Sequence, residues 1–164
     1  MAQAITSESS AVRVGSQAPG FSLPSKPGQS EDLTAAIGSG PVVLLFFPLA
    51  FSSVCTAEMC HFRDEWSRWS GLGARIYGIS VDSPFVTDRF RQAERIPFPI
   101  LSDFNKEVSA KYGVLLPELN GLRGVSARAA FVIDRQGIVR YAKINDSPKE
   151  QVDFGAIERA VKEC

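Results

Sequence analysis

The longest unbroken apolar run around which the chain is patterned is residues 42–47 (VVLLFF), bounded by Gly40-Pro41 and Pro48. Continuous apolarity of that length predicts a central β-strand covered on both faces. The period then changes. Cys55, Met59, Phe62, Trp66 and Trp69 follow at spacings of four, three, four and three, which places them on one face of a helix. Glu58, Arg63, Asp64 and Arg68 fall largely elsewhere and are expected to form its solvated side. Ser52 and Ser53 are good N-cap residues. Residues 48–60 (PLAFSSVCTAEMC) therefore read as a strand-to-helix corner with Cys55 in the first helical turn.

Elsewhere the pattern is shorter in range. In residues 15–37, Ala18-Pro19, Pro24 and Pro27-Gly28 punctuate short extended pieces; Phe21 and Leu23 alternate with Gly20 and Ser22 as in a strand, and residues 31–37 suit a short helix ending at Gly38. Residues 74–81 (ARIYGISV) predict the next strand. Asp82-Ser83-Pro84 is a helix-start signal leading into residues 85–94, followed by a short strand over 98–101 and a helix over 106–112 that stops at Gly113. After an irregular stretch over 115–126, residues 129–133 and 138–144 flank Asp134-Arg135-Gln136-Gly137, the signal of an antiparallel hairpin. A last helix is expected over 151–162. This alternation of strands and helices predicts an α/β fold with a substantially parallel sheet.

Length and charge narrow the function. The 164 residues are read as one domain, 1–164, with residues 1–14 a polar, flexible leader. Eighteen basic and eighteen acidic side chains balance to a net charge of zero, with no basic block, so neither nucleic acid nor an anionic membrane is an expected partner. No apolar run approaches transmembrane length, and the first residues lack the basic and apolar regions of a secretory signal. A cytoplasmic setting follows. Three cysteines are too few, and odd in number, for the disulfide framework of a secreted domain.

The candidate chemistry lies in those cysteines. A helix start presents unpaired N–H groups and the positive end of the helix dipole, which favour an anion, and the thiolate is the nucleophilic form of cysteine. Position alone leaves two readings of Cys55, a reactive thiolate or a buried inert thiol. Cys60 lies five residues on; an intact helix separates such a pair by roughly 7.5 Å of rise and about 140° of rotation, beyond ordinary disulfide reach. Pairing would require the first turns to unwind. Trp66 and Trp69 suit core packing better than a substrate platform, and His61 reads as a surface histidine. A metal module built on Cys55, Cys60, His61 and Cys164 fits no common zinc spacing. A dithiol reductase would show C-x-x-C.

Pro48, Ser52 and Cys55 form P-x-x-x-S-x-x-C, which resembles the P-x-x-x-T/S-x-x-C active-site loop of the peroxiredoxins, the thiol peroxidases. FFPLAF and CTAEMCHFRD are similar to the Q-type branch, the bacterioferritin comigratory proteins, and to the one-cysteine alkyl hydroperoxide reductase E; the similarity runs from GSQAPGFSLPS through LSDFNKEVSAKYGV to RAAFVIDRQGIVRYAKI. It implies a thioredoxin-like fold, a central mixed sheet flanked by helices with an N-terminal extension. It also implies a peroxidase acting on hydrogen peroxide and organic hydroperoxides, with neither metal nor cofactor. By resemblance, Cys55 attacks the peroxide, Ser52 offers its hydroxyl to it, Pro48 shapes the loop, and Arg128 supplies the positive charge, with Arg123 a weaker substitute. Cys60 matches the resolving cysteine of many Q-type members, whose disulfide is reduced by thioredoxin or another thiol protein. The alternative is a one-cysteine peroxidase or redox sensor resolved by an external thiol or by Cys164. Relatives include monomers and homodimers. Phe47 and Phe51 point to an apolar approach to the site.

Overall fold

In the computed structural model, residues 12–164 are described. Residues 1–11 of the expected leader lie outside them; Val12 packs against the core and the Gly15 N–H donates to the Val139 carbonyl. A first hairpin pairs β1 (Ser22–Lys26) antiparallel with β2 (Gln29–Asp32) across Pro27-Gly28, in the stretch where short extended pieces were expected. Gly28 turns the chain at φ +82°, which explains the tight reversal. Helix α1 (Leu33–Ile37) follows directly, capped by the Asp32 carboxylate.

The main sheet has five strands. They are β3 (Val42–Phe46), β4 (Arg75–Ser80), β5 (Ile100–Ser102), β8 (Ala129–Ile133) and β9 (Val139–Ile144), in the spatial order β5-β4-β3-β8-β9. Between Ile100 and β8 lie β6 (Leu115–Leu116) and β7 (Val125–Ser126), a two-stranded ribbon inside the stretch expected to be irregular. β3 runs parallel to β4 and antiparallel to β8, so the sheet is mixed. All five residues of β3 are buried. Val42, Leu44 and Phe46 face one core with Tyr77, Phe131 and Tyr112, whereas Val43, Leu45 and Phe47 face the other with Met59, Phe62 and Ile157. Period-two alternation inside an unbroken apolar run thus feeds two layers of helices.

Helix α2 (Ser53–Asp64) lies on the second face, together with α3 (Trp66–Ser70), α4 (Pro84–Ala93) and α6 (Phe154–Lys162); α5 (Glu107–Lys111) covers the first. The single helix expected over the cysteines and tryptophans is in fact two, broken at Glu65, whose φ of −107° and ψ of 26° leave the helical region. The stripe survives the break: Cys55, Met59, Phe62 and Trp69 are buried, and Trp66 packs on Phe98. Ser83 caps α4 and Asp153 caps α6, which starts at Phe154 rather than at 151.

Candidate active site

The corner between β3 and α2 sits beside the N-terminal end of β8. Ser52 is the N-cap of α2 by backbone conformation, yet its hydroxyl donates to the Leu49 carbonyl at 2.8 Å and makes no bond to a helical N–H. The first turn is therefore left without a side-chain cap, and its N–H groups carry the partial positive charge of a helix start, which favours a nearby anion. Cys55 is in that turn, only 1% exposed.

Arg128 arrives from the residue before β8. It is 1% exposed, and its Nη2 donates to Cys55 Sγ at 3.1 Å. Its Nε donates to the Pro148 carbonyl at 3.0 Å, and Nη1 lies 3.3 Å from Glu58 Oε1. Glu58 is fully buried, and its Oε1 accepts the Val152 N–H at 3.0 Å. Its place on a solvated helix side is overturned: it lies three residues from Cys55 and so on the same face of α2. Burial pushes its carboxyl above the usual range, although Arg128 and the Val152 N–H pull the other way. Among the described residues Arg128 Nη1 and Glu58 Oε2 are buried without a hydrogen-bond partner.

A cleft of about 210 Å³ opens onto Cys55 and Arg128, lined also by Pro48, Ser52, Leu119, Leu122 and Pro148. The approach is apolar, but not through the residues expected. Phe47 is fully buried in the core, and Phe51 leans on Phe90 at a ring distance of 5.1 Å. The leucines of residues 117–124 provide the wall instead, and no periodicity marked them.

The other sulfurs are elsewhere. Cys60, half-buried further along the intact α2, has Sγ 3.5 Å from Glu94 Oε1, and burial, reinforced by Glu94, pushes its thiol up despite Arg63. Cys164 donates to the Ala160 carbonyl and borders a separate cleft with Asp134 and Arg140. His61 stacks on Phe154 at 3.7 Å rather than standing free at the surface, and Arg123 is exposed. Among the described residues no three His, Cys, Asp or Glu side chains gather as a metal-ligand set.

Residues 14–142 match the model of the AhpC/TSA family. The chain belongs to that family, the peroxiredoxins. A putative peroxiredoxin of Synechocystis is 38% identical over 82% of this chain and 70% of its own length, and the putative peroxiredoxin bcp of Coxiella burnetii is 36% identical over 78% and 85%. The crystal structure of peroxidoxin BcpB from Mycobacterium tuberculosis superposes with a TM-score of 0.82 at 30% identity, covering 93% of this chain and 97% of that one. This peroxiredoxin has the thioredoxin-like fold and is a thiol-dependent peroxidase, with a hydroperoxide as substrate and a thiol as electron donor. Among the described residues no helix is long and apolar enough to cross a membrane.

Proposed function

We propose that Cys55 is the sulfur that reduces the hydroperoxide in this peroxiredoxin, and that Cys60 resolves the oxidised product. The observation that carries the first half is the buried 3.1 Å contact from Arg128 Nη2 to Cys55 Sγ at an uncapped helix start. Both groups favour negative charge on sulfur. The thiolate attacks one peroxide oxygen, the O–O bond breaks, sulfur becomes a sulfenic acid, and the departing alkoxide or hydroxide takes up a proton. The Arg128 guanidinium, which lines the cleft and reaches the sulfur through Nη2, supplies positive charge to that oxygen. Ser52, whose hydroxyl donates to the Leu49 carbonyl, presents its oxygen at the cleft as an acceptor for the O–H of the peroxide, and Pro48 closes the wall beside the sulfur.

Resolution follows when Cys60 attacks the sulfenic acid, releasing water and leaving a disulfide that two electrons from a thioredoxin-like reductant reopen. Burial keeps Cys60 a thiol while α2 is folded, so resolution belongs to a locally opened state. The similarity to proteins named bcp and BcpB supports the Q-type branch, and a reducing, cytoplasmic setting is part of the same reading. The mooring of Cys60 to Glu94 also favours a second reading, regeneration of Cys55 by an external thiol.

Mass spectrometry of peroxide-treated wild type, Cys55→Ser, Cys60→Ser and Cys164→Ser separates them. A Cys55–Cys60 link is expected in the wild type and in Cys164→Ser, with sulfenic or overoxidised Cys55 in Cys60→Ser and no peroxide consumption by Cys55→Ser. A Cys55–Cys164 link overturns the second thiol. Retained turnover in Cys55→Ser overturns the first.

A further inference from the structure

The loop that carries Cys55 is held from outside by one carboxylate. After Phe47, whose N–H still donates to the Ile79 carbonyl, the chain leaves the sheet at Pro48 and Leu49. Ala50 then donates its N–H to Asp82 Oδ2 at 2.7 Å, across 32 positions of sequence. The same oxygen accepts the Ser80 hydroxyl at 2.7 Å, and the Asp82 carbonyl accepts the Ser102 hydroxyl at 2.5 Å. Asp82 is thus fixed to the ends of β4 and β5 and reaches over to the loop leaving β3. Immediately after Ala50, Phe51 sits at φ +69°, a conformation costly for a bulky side chain. Such strain persists only where the surroundings over-determine it. The surroundings here are the Asp82 anchor on one side and the Phe51–Phe90 ring contact on the other.

We infer that Asp82 is a positioning residue for the peroxidase reaction: by holding the Ala50 N–H it sets where α2 begins, and hence where Cys55 Sγ stands against Arg128. Asp82 does not touch the sulfur or line its cleft. Arg128 is held from outside α2 by the Pro148 carbonyl, so a shift of the loop and of the helix start misaligns the pair. Only an acceptor oxygen at this point is needed, not a charge. The inference rests on Cys55 being the reacting sulfur.

The test compares wild type, Asp82→Asn and Asp82→Ala by hydrogen exchange at the Ala50 amide, by the second-order rate with hydrogen peroxide, and by thermal midpoint. The expected result is a protected Ala50 amide in wild type and Asp82→Asn, lost in Asp82→Ala, with a rate drop of roughly tenfold in Asp82→Ala alone, as a small misplacement of reacting groups produces. Asp82→Asn keeps the acceptor oxygen and restores the rate. A merely structural role would lower the midpoint and leave the folded protein's rate unmoved. The inference is overturned by an unprotected Ala50 amide in wild type, by a folded Asp82→Ala as fast as wild type, or by Asp82→Asn as slow as Asp82→Ala. If Asp82→Ala does not fold, wild-type exchange and the Asp82→Asn rate decide. Activity retained in Cys55→Ser defeats the reading of the sulfur instead, and leaves the Ala50 exchange result standing.

Discussion

At Arg128 two partners share one buried guanidinium, the sulfur of Cys55 at 3.1 Å and the carboxyl of Glu58 at 3.3 Å. Removing either end has a different cost. Glu58→Ala leaves the cation buried without its carboxylate, and loss of about 3–5 kcal/mol in denaturant unfolding is expected, with Glu58→Gln milder because its amide oxygen still accepts from Val152. Arg128→Met leaves the Glu58 carboxyl buried without its cation; if Arg128 serves the reaction as proposed, the peroxide rate constant should also fall by about a hundredfold or more in stopped-flow assays. Cys55 and Arg128 were legible in the sequence, the first from its place at a helix start and the second only through a family resemblance. Glu58 was not, because carboxylates are mostly exposed and its partner lies far along the chain. The signal was the spacing of three from Cys55, which shares a helix face.

Among the elements, β4 shows how closely α2 must approach the sheet. A side chain at Gly78 would place its Cβ 2.7 Å from Ile100 Cδ1 and 3.4 Å from Met59 Sδ, the residue one turn beyond Cys55. Gly78→Val therefore overpacks the layer beneath the active-site helix and should cost about 1–3 kcal/mol, read from the urea midpoint, with the peroxide rate falling as α2 is pushed away. Strands β3, β4 and β8 were readable because their apolar runs have clear boundaries. The break at Glu65 was not, since the hydrophobic stripe continues through it on the same face. Nor was the β6–β7 ribbon, whose two-residue strands are too short to display a period. Its intervening loop nevertheless lines the Cys55 cleft with Leu119 and Leu122.

For the molecule as a whole, acid tolerance should depend on the turn between β8 and β9. Burial of Asp134 opposes its ionisation, but the Ile138 N–H, Arg140 and the Gln136 N–H outweigh it and hold the carboxyl below its ordinary value of 3.8. A carboxyl lowered on folding contributes stability that is complete above that value and lost as pH falls through the lower, folded one. Thermal midpoints should decline there in wild type, and Asp134→Asn should flatten that acid limb while starting from lower stability at neutral pH. The sulfur–guanidinium contact carries a consequence of its own, because its two partners stand 73 positions apart. A growing polypeptide exposes Cys55 well before Arg128 has been synthesised, and the Pro148 carbonyl that accepts from the cation and the Val152 N–H that donates to Glu58 come later still. The nascent thiol is therefore without its guanidinium neighbour during translation, and on the reading proposed above only the arrival of the last third of the chain arms it.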